Sequence, residues 1–294
     1  MTNFKKPTVG FIGTGVMGKS MAGHLHSAGY PLNVFTRSKD KALDLIATGA
    51  AWKETIADLA KDSEIIITMI GYPKDVEEVY LGAEGLLANA KKGSYLVDMT
   101  TSKPSLAKEI SDAAKIKGLH AIDAPVSGGD IGAKNATLAI MAGGEKDDFE
   151  HLRPLFEIMG TNIMLHGPAG SGQHAKMCNQ ITNASNMMGV CEAILYAKAS
   201  GLDPVKMIET VSSGAANSWA LENLGTRMLK NDFEPGFYVK HFIKDMTIAL
   251  ESALEMNIKL PSLTLALDLY KQLAQMGEED SGTQALIKYF ESEV

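Results

Sequence analysis

Two cysteines in 294 residues, Cys178 and Cys191, are too few for a disulfide framework or a four-ligand zinc site. Both fall inside one long helical pattern, where they read as small buried hydrophobes. Basic residues are in deficit. The chain has 28 Lys and Arg against 35 Asp and Glu, a formal charge of −7. That balance argues against a nucleic-acid partner, although a local basic pocket for one small anion remains open. No apolar run approaches the ~18 residues of a membrane span, so no membrane partner is expected. Internal repeats and low-complexity stretches are also lacking. With 45% hydrophobic and 21% charged residues, the composition excludes disorder, collagen and coiled coil. Lys5 and Lys6 precede an apolar run in the manner of a signal peptide. The run breaks at Gly13, Gly15 and Gly18, and no cleavage pattern follows, so the cytoplasm is the expected location. His24, His26 and His120 lack metal spacing with carboxylates or cysteines, and no metal is expected.

What is present divides at about residue 167. In residues 1–167 short apolar runs alternate with helical patterns. The runs are Thr8–Ile12, Leu32–Phe35, Glu64–Ile70, Ser94–Asp98, Leu119–Asp123 and Thr137–Met141; helices fall at Lys19–Gly29, Lys39–Gly49 and Pro104–Lys117. This is the pattern of an α/β, Rossmann-type, doubly wound and mostly parallel sheet. In residues 168–294 no convincing strand appears, and an all-α domain is expected. A long pattern from Gln173 to Ser200 stops at Gly201, and Asp203-Pro204 supplies an N-cap and first-turn proline for the next helix. Further helices are expected near Ser218–Leu229, Val239–Met256, Pro261–Met276 and Gly282–Phe290. The long helix carries apolar residues around much of its circumference. Such a helix is usually buried, here by other helices or by a second subunit.

Three constellations carry chemistry. Gly13-Thr14-Gly15-Val16-Met17-Gly18 follows the first strand and opens the first helix. A tight turn, close approach of a pyrophosphate and close helix packing account for the three glycines in turn. Alone the pattern suits any glycine-rich turn; with strand, helix and second strand in sequence it points to a dinucleotide. After the second strand stands Thr36-Arg37-Ser38, with no carboxylate at the tip. An arginine beside hydroxyls suits a 2′-phosphate and favours NADP over NAD, while an exposed arginine on a solvated turn would look the same. The second constellation places Lys176, Asn179 and Asn183 on one helix face with Gln180 beside them. It reads either as an inter-helix hydrogen-bond network or as the surroundings of a lysine acid/base, since desolvation and nearby charge can bring a lysine pKa toward neutrality. His174 points to another side of that helix and reads as structural. The third, Ser127-Gly128-Gly129, follows Asp123 at a strand end and offers a hydroxyl and open N–H groups for a carboxylate, or a flexible turn.

Phe11–Gly18, Asp123–Gly129, Gly170-x-Gly-x-x-x-Lys176-x-x-Asn179 and Lys244-Asp245 occur in order over nearly the whole chain. Together they resemble the β-hydroxyacid dehydrogenase family, which includes 3-hydroxyisobutyrate dehydrogenases and semialdehyde reductases. The resemblance implies hydride transfer between NAD(P) and a small 3-hydroxy acid or semialdehyde carrying a carboxylate. It further implies that the helical domain builds the interface of a homodimer or homotetramer. Lys176 is then the catalytic lysine, and Ser127, Gly128, Gly129 and Asn179 hold the substrate carboxylate. Met69, Ile70, Gly71, Thr101 and Lys244 touch the cofactor, and the segment from Asn217-Ser-Trp219 to Gly236-Phe237 borders the substrate. Gly71 departs from the family, whose members often carry proline there. Imine reductases share the architecture but generally lack the lysine, and a cofactor-binding sensor without catalysis is the remaining alternative. The 6-phosphogluconate enzymes share the opening but need a larger helical domain.

Overall fold

The computed structural model describes residues 6–292; Lys5 of the basic start lies outside them. The chain divides into two compact units, Met1–Lys176 and Met177–Val294.

The first unit is built on β1 (Val9–Ile12), β2 (Leu32–Phe35), β3 (Ala51–Trp52), β4 (Ile65–Thr68), β5 (Tyr95–Asp98) and β6 (His120–Asp123). They form one sheet in the order β3-β2-β1-β4-β5-β6, every pair parallel. The strands read as continuous apolar runs because both faces are covered. Side chains alternate between the faces, so Val9, Phe11, Ile65, Ile67 and Val97 join one core with Met21, Leu25, Phe149 and Phe156. Ile12, Ile66 and Leu96 join the other with Leu59, Tyr80, Leu106 and Ile110. Each such side chain contributes roughly 1.5–3 kcal/mol on burial.

Three strands were not expected from the sequence: β3, β7 (Val126–Ser127) and β9 (Gly160–Leu165). With β8 (Leu138–Ala142), the last two make a second sheet, β7-β8-β9, in which β7 runs antiparallel to β8. β3 and β7 are two residues long, too short to show a period, and β9 opens on Gly-Thr-Asn and has only three consecutive apolar residues, Ile163-Met164-Leu165, after them. The expected helix at Lys39–Gly49 is a 3₁₀ turn, Lys39–Ala42, followed by a helix at Leu43–Ala47.

The second unit has no strand among its described residues, only the isolated bridge between Tyr238 and Gly282. The helix Ser171–Ala199 runs unbroken across the division at Lys176. Asp203 caps the next helix as expected, accepting from the Val205 N–H at 2.9 Å. Val190, Cys191 and Ile194 pack with Phe242, Met246, Leu263, Tyr270 and Leu286 in one core. Ser218–Leu229 differs from expectation in part, since Ala220–Gly225 winds as a π-helix. No helix among the described residues is long and apolar enough to cross a membrane.

Candidate active site

In the parallel sheet of the first unit, the carboxyl ends of β1, β4, β5 and β6 lie along one edge, where α/β sheets bind ligands. β1 ends at Ile12, and Gly13 turns the chain at φ +95°. A Cβ on Gly13 would lie 2.3 Å from the Met69 carbonyl oxygen, and one on Gly18 would lie 1.9 Å from that of Gly13. Both glycines are required by packing. Gly15 is different, because a Cβ there meets nothing within 4 Å. The helix Gly18–Ser27 begins with no side-chain cap on its first N–H groups and no acid in its first turn. Thr14 is buried, and its hydroxyl has no hydrogen-bond partner. An uncapped helix start, an open backbone at Gly15 and an unsatisfied hydroxyl form a donor set that fits the pyrophosphate of a dinucleotide.

Thr36, Arg37 and Ser38 follow β2, and the Arg37 side chain is 83% exposed. Its guanidinium lies 3.6 Å from Asp75, in the first turn of the helix Pro73–Leu81. The sequence shows no carboxylate at the β2 tip; Asp75 reaches it from a different strand–helix connection. Asp75 is half-buried, but the guanidinium stands in solvent, and a pair so screened at this distance is worth about 1 kcal/mol, so Arg37 is available to a stronger anion. Met69, Ile70 and Gly71 follow β4. The Met69 N–H donates to the Ile12 carbonyl at 2.9 Å and the Ile70 N–H to the Thr100 hydroxyl at 3.0 Å. These bonds tie the loop to β1 and to the turn that carries half-buried Thr101.

β5 and β6 end in register, with Asp98 beside Asp123. Asp98 is buried and accepts from the Thr68 hydroxyl at 2.8 Å and the Thr100 N–H at 3.0 Å. The Thr68 proton is used on Asp98, so the Tyr80 hydroxyl, 2.9 Å away, donates to Thr68. Asp123 accepts from the N–H groups of Gly170 at 2.7 Å and Gln173 at 2.8 Å, at the start of the long helix. Burial pushes its carboxyl up to about 6, against the pull of those two N–H bonds, and the charge of Asp98 pushes the same way.

In the unfolded chain this group ionises near pH ~4. The folded state therefore holds its proton more tightly. Its contribution to stability is full below about pH 4 and is lost as pH rises through about 6, a change of roughly 2–3 kcal/mol. Urea unfolding followed from pH 4 to 7 is expected to show this decline in the wild type and to lack it in Asp123→Asn. Equal slopes in the two proteins would refute it.

Beyond Asp123, Ser127 lies in β7, paired with Ala139 of β8, and not in a free loop. Gly128 and Gly129 have φ of +133° and +63°. These are conformations a side chain resists, so the turn is a defined one that opens the helix Gly129–Asn135. Lys176 is buried and stands one helical turn beyond Gln173, at the end of the first unit.

In the second unit Asn179 and Lys244 join one network. The Asn179 amide donates to Gln180 Oε1 at 2.6 Å, and Asn183 donates to the same oxygen at 3.3 Å. Gln180 donates to buried Asp245 at 2.6 Å, whose other oxygen lies 2.9 Å from the Lys244 ammonium. Gln180 and Asp245 carry this network; the sequence placed them beside the predicted residues without giving them a role. Trp219 is 60% exposed.

One expectation is corrected. Cys178 is exposed, and only Cys191 is buried. Cys178 falls two residues, about 200° of helix, from Lys176, on the stripe that exposed His174 and Thr182 also occupy. Among the described residues no group of three or more His, Cys, Asp or Glu could hold a metal ion. His24 and His26 instead bond backbone carbonyls.

Residues 8–167 match the family described as the NAD-binding domain of 6-phosphogluconate dehydrogenase. Residues 170–290 match the family described as NAD-binding of NADP-dependent 3-hydroxyisobutyrate dehydrogenase. The chain is 61% identical to the uncharacterized oxidoreductase YkwC of Bacillus subtilis, over 96% of this chain and 98% of that one. It is 39% identical to the 2-hydroxy-3-oxopropionate reductase of Escherichia coli, over 96% and 97% of the two chains. Among solved structures, the 3-hydroxyisobutyrate dehydrogenase of Mycobacterium tuberculosis with L-serine superposes with a TM-score of 0.89 at 29% identity. That match covers 97% of this chain and 99% of the other.

Proposed function

The chain belongs to the β-hydroxyacid dehydrogenase family of NAD(P)-dependent oxidoreductases, and from that premise we propose that it interconverts a short 3-hydroxy acid and its semialdehyde, using Lys176 as proton donor and acceptor and NADP(H) as preferred cofactor. The observation that carries this reading is the position of Lys176. It is a buried amine one turn into a helix whose start is bonded to the same sheet edge as the dinucleotide loop. The substrates named for the relatives point the same way. 3-Hydroxyisobutyrate, 2-hydroxy-3-oxopropionate and L-serine each carry a carboxylate with a terminal alcohol or aldehyde at C3. The substrate class proposed for this chain has that pattern.

When bound, the nicotinamide supplies or accepts the hydride. In oxidation, neutral Lys176 removes the proton from the C3 hydroxyl oxygen; in reduction, the ammonium returns it as negative charge develops there. The Ser127 hydroxyl and the backbone N–H groups of Gly128 and Gly129 are assigned to the substrate carboxylate. Asn179, one turn beyond Lys176, shares that role. Holding the anion in place presents C3 at a fixed point, so positioning and charge stabilisation supply much of the rate. Gly13–Gly18 cradle the pyrophosphate, Met69, Ile70, Gly71 and Thr101 line the cofactor, and the family pattern adds Lys244. Arg37, with Thr36 and Ser38, is assigned to the 2′-phosphate. The protein is expected to be cytoplasmic and a homodimer or homotetramer, whose mass light scattering reads directly.

The test is reduced-nicotinamide absorbance with both cofactors against short semialdehydes, 3-hydroxy acids and a cyclic imine. NADPH-dependent reduction of a terminal semialdehyde is expected; turnover of the imine alone would overturn the reading. For the cofactor, a charge-assisted hydrogen bond worth about 1.5–3 kcal/mol means that Arg37→Ala lowers kcat/KM for NADPH roughly 10- to 100-fold. The value for NADH should stay within about three-fold, because NADH carries no 2′-phosphate. A parallel loss for both cofactors would remove the assignment.

A further inference from the structure

We propose that Asp123 and Gln173 are positioning residues that fix where the lysine-bearing helix begins, and so hold Lys176 in register with the chain running from Asp123 into Ser127-Gly128-Gly129. The proposal rests on the role given to Lys176 above.

A helix start is usually capped by the residue just before it. Here that residue is Gly170, at φ +90° and without a side chain. The cap comes instead from the end of β6, where both carboxylate oxygens of Asp123 are used, one on Gly170 and one on Gln173. The cap is itself immobile, because Asp123 N–H donates to Gly143 at 3.1 Å and its carbonyl accepts from Gly143 at 2.8 Å. The helix seats without clearance on this support. A Cβ on Gly172 would lie 2.3 Å from the Met141 carbonyl oxygen, and one on Gly143 would lie 2.6 Å from the Gly172 nitrogen.

Gln173 makes the second tie. Fully buried, it accepts from the Ser102 N–H at 2.9 Å and donates to the Thr100 carbonyl at 2.8 Å, which fixes its amide orientation. Thr100 in turn accepts from Ile70 N–H in the loop assigned to the cofactor. One helical turn is thus bonded to the ends of β5 and β6, and Lys176 follows at a fixed rise and angle. Stability alone does not call for this arrangement. A neighbouring serine or aspartate would cap the helix as well, and the charge of Asp123 counts against the folded state at neutral pH. What a distant cap adds is a rigid link between the amine and the carboxylate-binding turn.

Asp123→Asn keeps the volume but sets an NH2 against one of the two N–H groups. Four readouts are taken: hydrogen exchange at residues 170–174, NADPH affinity, kcat, and the primary isotope effect with 4-deuterated cofactor. Exchange at 170–174 is expected to rise at least about ten-fold. kcat should fall about 10- to 100-fold with NADPH affinity within about three-fold, and the isotope effect should grow as hydride transfer becomes limiting. Gln173→Glu, which keeps the acceptor for Ser102 but loses the bond to Thr100, is expected to do the same more weakly and serves if Asp123→Asn does not fold. Wild-type exchange at 170–174 in either folded variant would overturn the clamp. A fall in kcat with an unchanged isotope effect and a parallel loss of melting temperature would reduce it to a structural tie and overturn the positioning role. Absence of turnover in the wild type is a separate result. It defeats the proposed function, while exchange still decides the clamp.

Discussion

Lys176→Ala lowers turnover by about three orders of magnitude in both directions, while NADPH binds with near-wild-type affinity. A positioned acid/base typically contributes 10²- to 10⁴-fold. No other ionisable side chain within one helical turn of Lys176 is placed to replace it: His174 is exposed on another side, and Cys178 faces the same way as His174. The cofactor contacts assigned to Gly13–Gly18 and to the loop after β4 sit on other strands, so binding should survive. Lys176→Arg is not expected to restore activity, because a guanidinium stays protonated and cannot accept the proton. Steady-state kinetics and a fluorescence titration of NADPH measure the two quantities. Turnover of Lys176→Ala within about three-fold of wild type would remove the lysine from the mechanism.

The second large effect separates two glycines of one loop. Gly18→Ala places a methyl 1.9 Å from the Gly13 carbonyl oxygen, which is backbone and cannot swing aside. It should cost on the order of 3 kcal/mol in overpacking and lower the melting temperature accordingly. Gly15→Ala should leave the melting temperature of the free protein unchanged, since a Cβ there meets nothing and the backbone is not left-handed. Yet it fills the space through which a pyrophosphate reaches the N–H groups, so cofactor affinity should fall about 100-fold or more. If Gly15→Ala bound NADPH like the wild type, the loop would not be the phosphate cradle.

What could be read from the sequence was local. The Gly13–Gly18 turn, the apolar strands β1, β2, β4, β5, β6 and β8, and the cap at Asp203 each declare themselves within a few residues. What escaped depends on partners distant in the chain. Asp75 was invisible beside Arg37 because rules for cofactor type look only at the tip of β2. Asp123 read as the first letter of a loop motif, since a helix cap is sought next to its helix. β9 has only three apolar residues, all at its end, and β7 is only two residues long, so neither offers a hydrophobic period. The polar face of the long helix left two readings open. For Asn179, Gln180 and Asn183 the hydrogen-bond network is present, while Lys176 belongs to the other unit and keeps its chemical assignment.

The strand order has a consequence during synthesis. β1 leaves the ribosome before both strands that flank it, but it lies inside the sheet, with Val9 beside Leu32 on one side and Ile65 on the other. Until residues 65–68 emerge, a nascent chain presents β1 with an open edge and Phe11 unburied, an invitation to chaperones or to other chains. Growth then proceeds outward to β5 and β6, each new strand covering the last exposed edge. The tie between Asp123 and Gly170 can close only after that. The amine at Lys176 is therefore among the last features of the first unit to reach its place, and a chain that carries it in position has already assembled the sheet beneath.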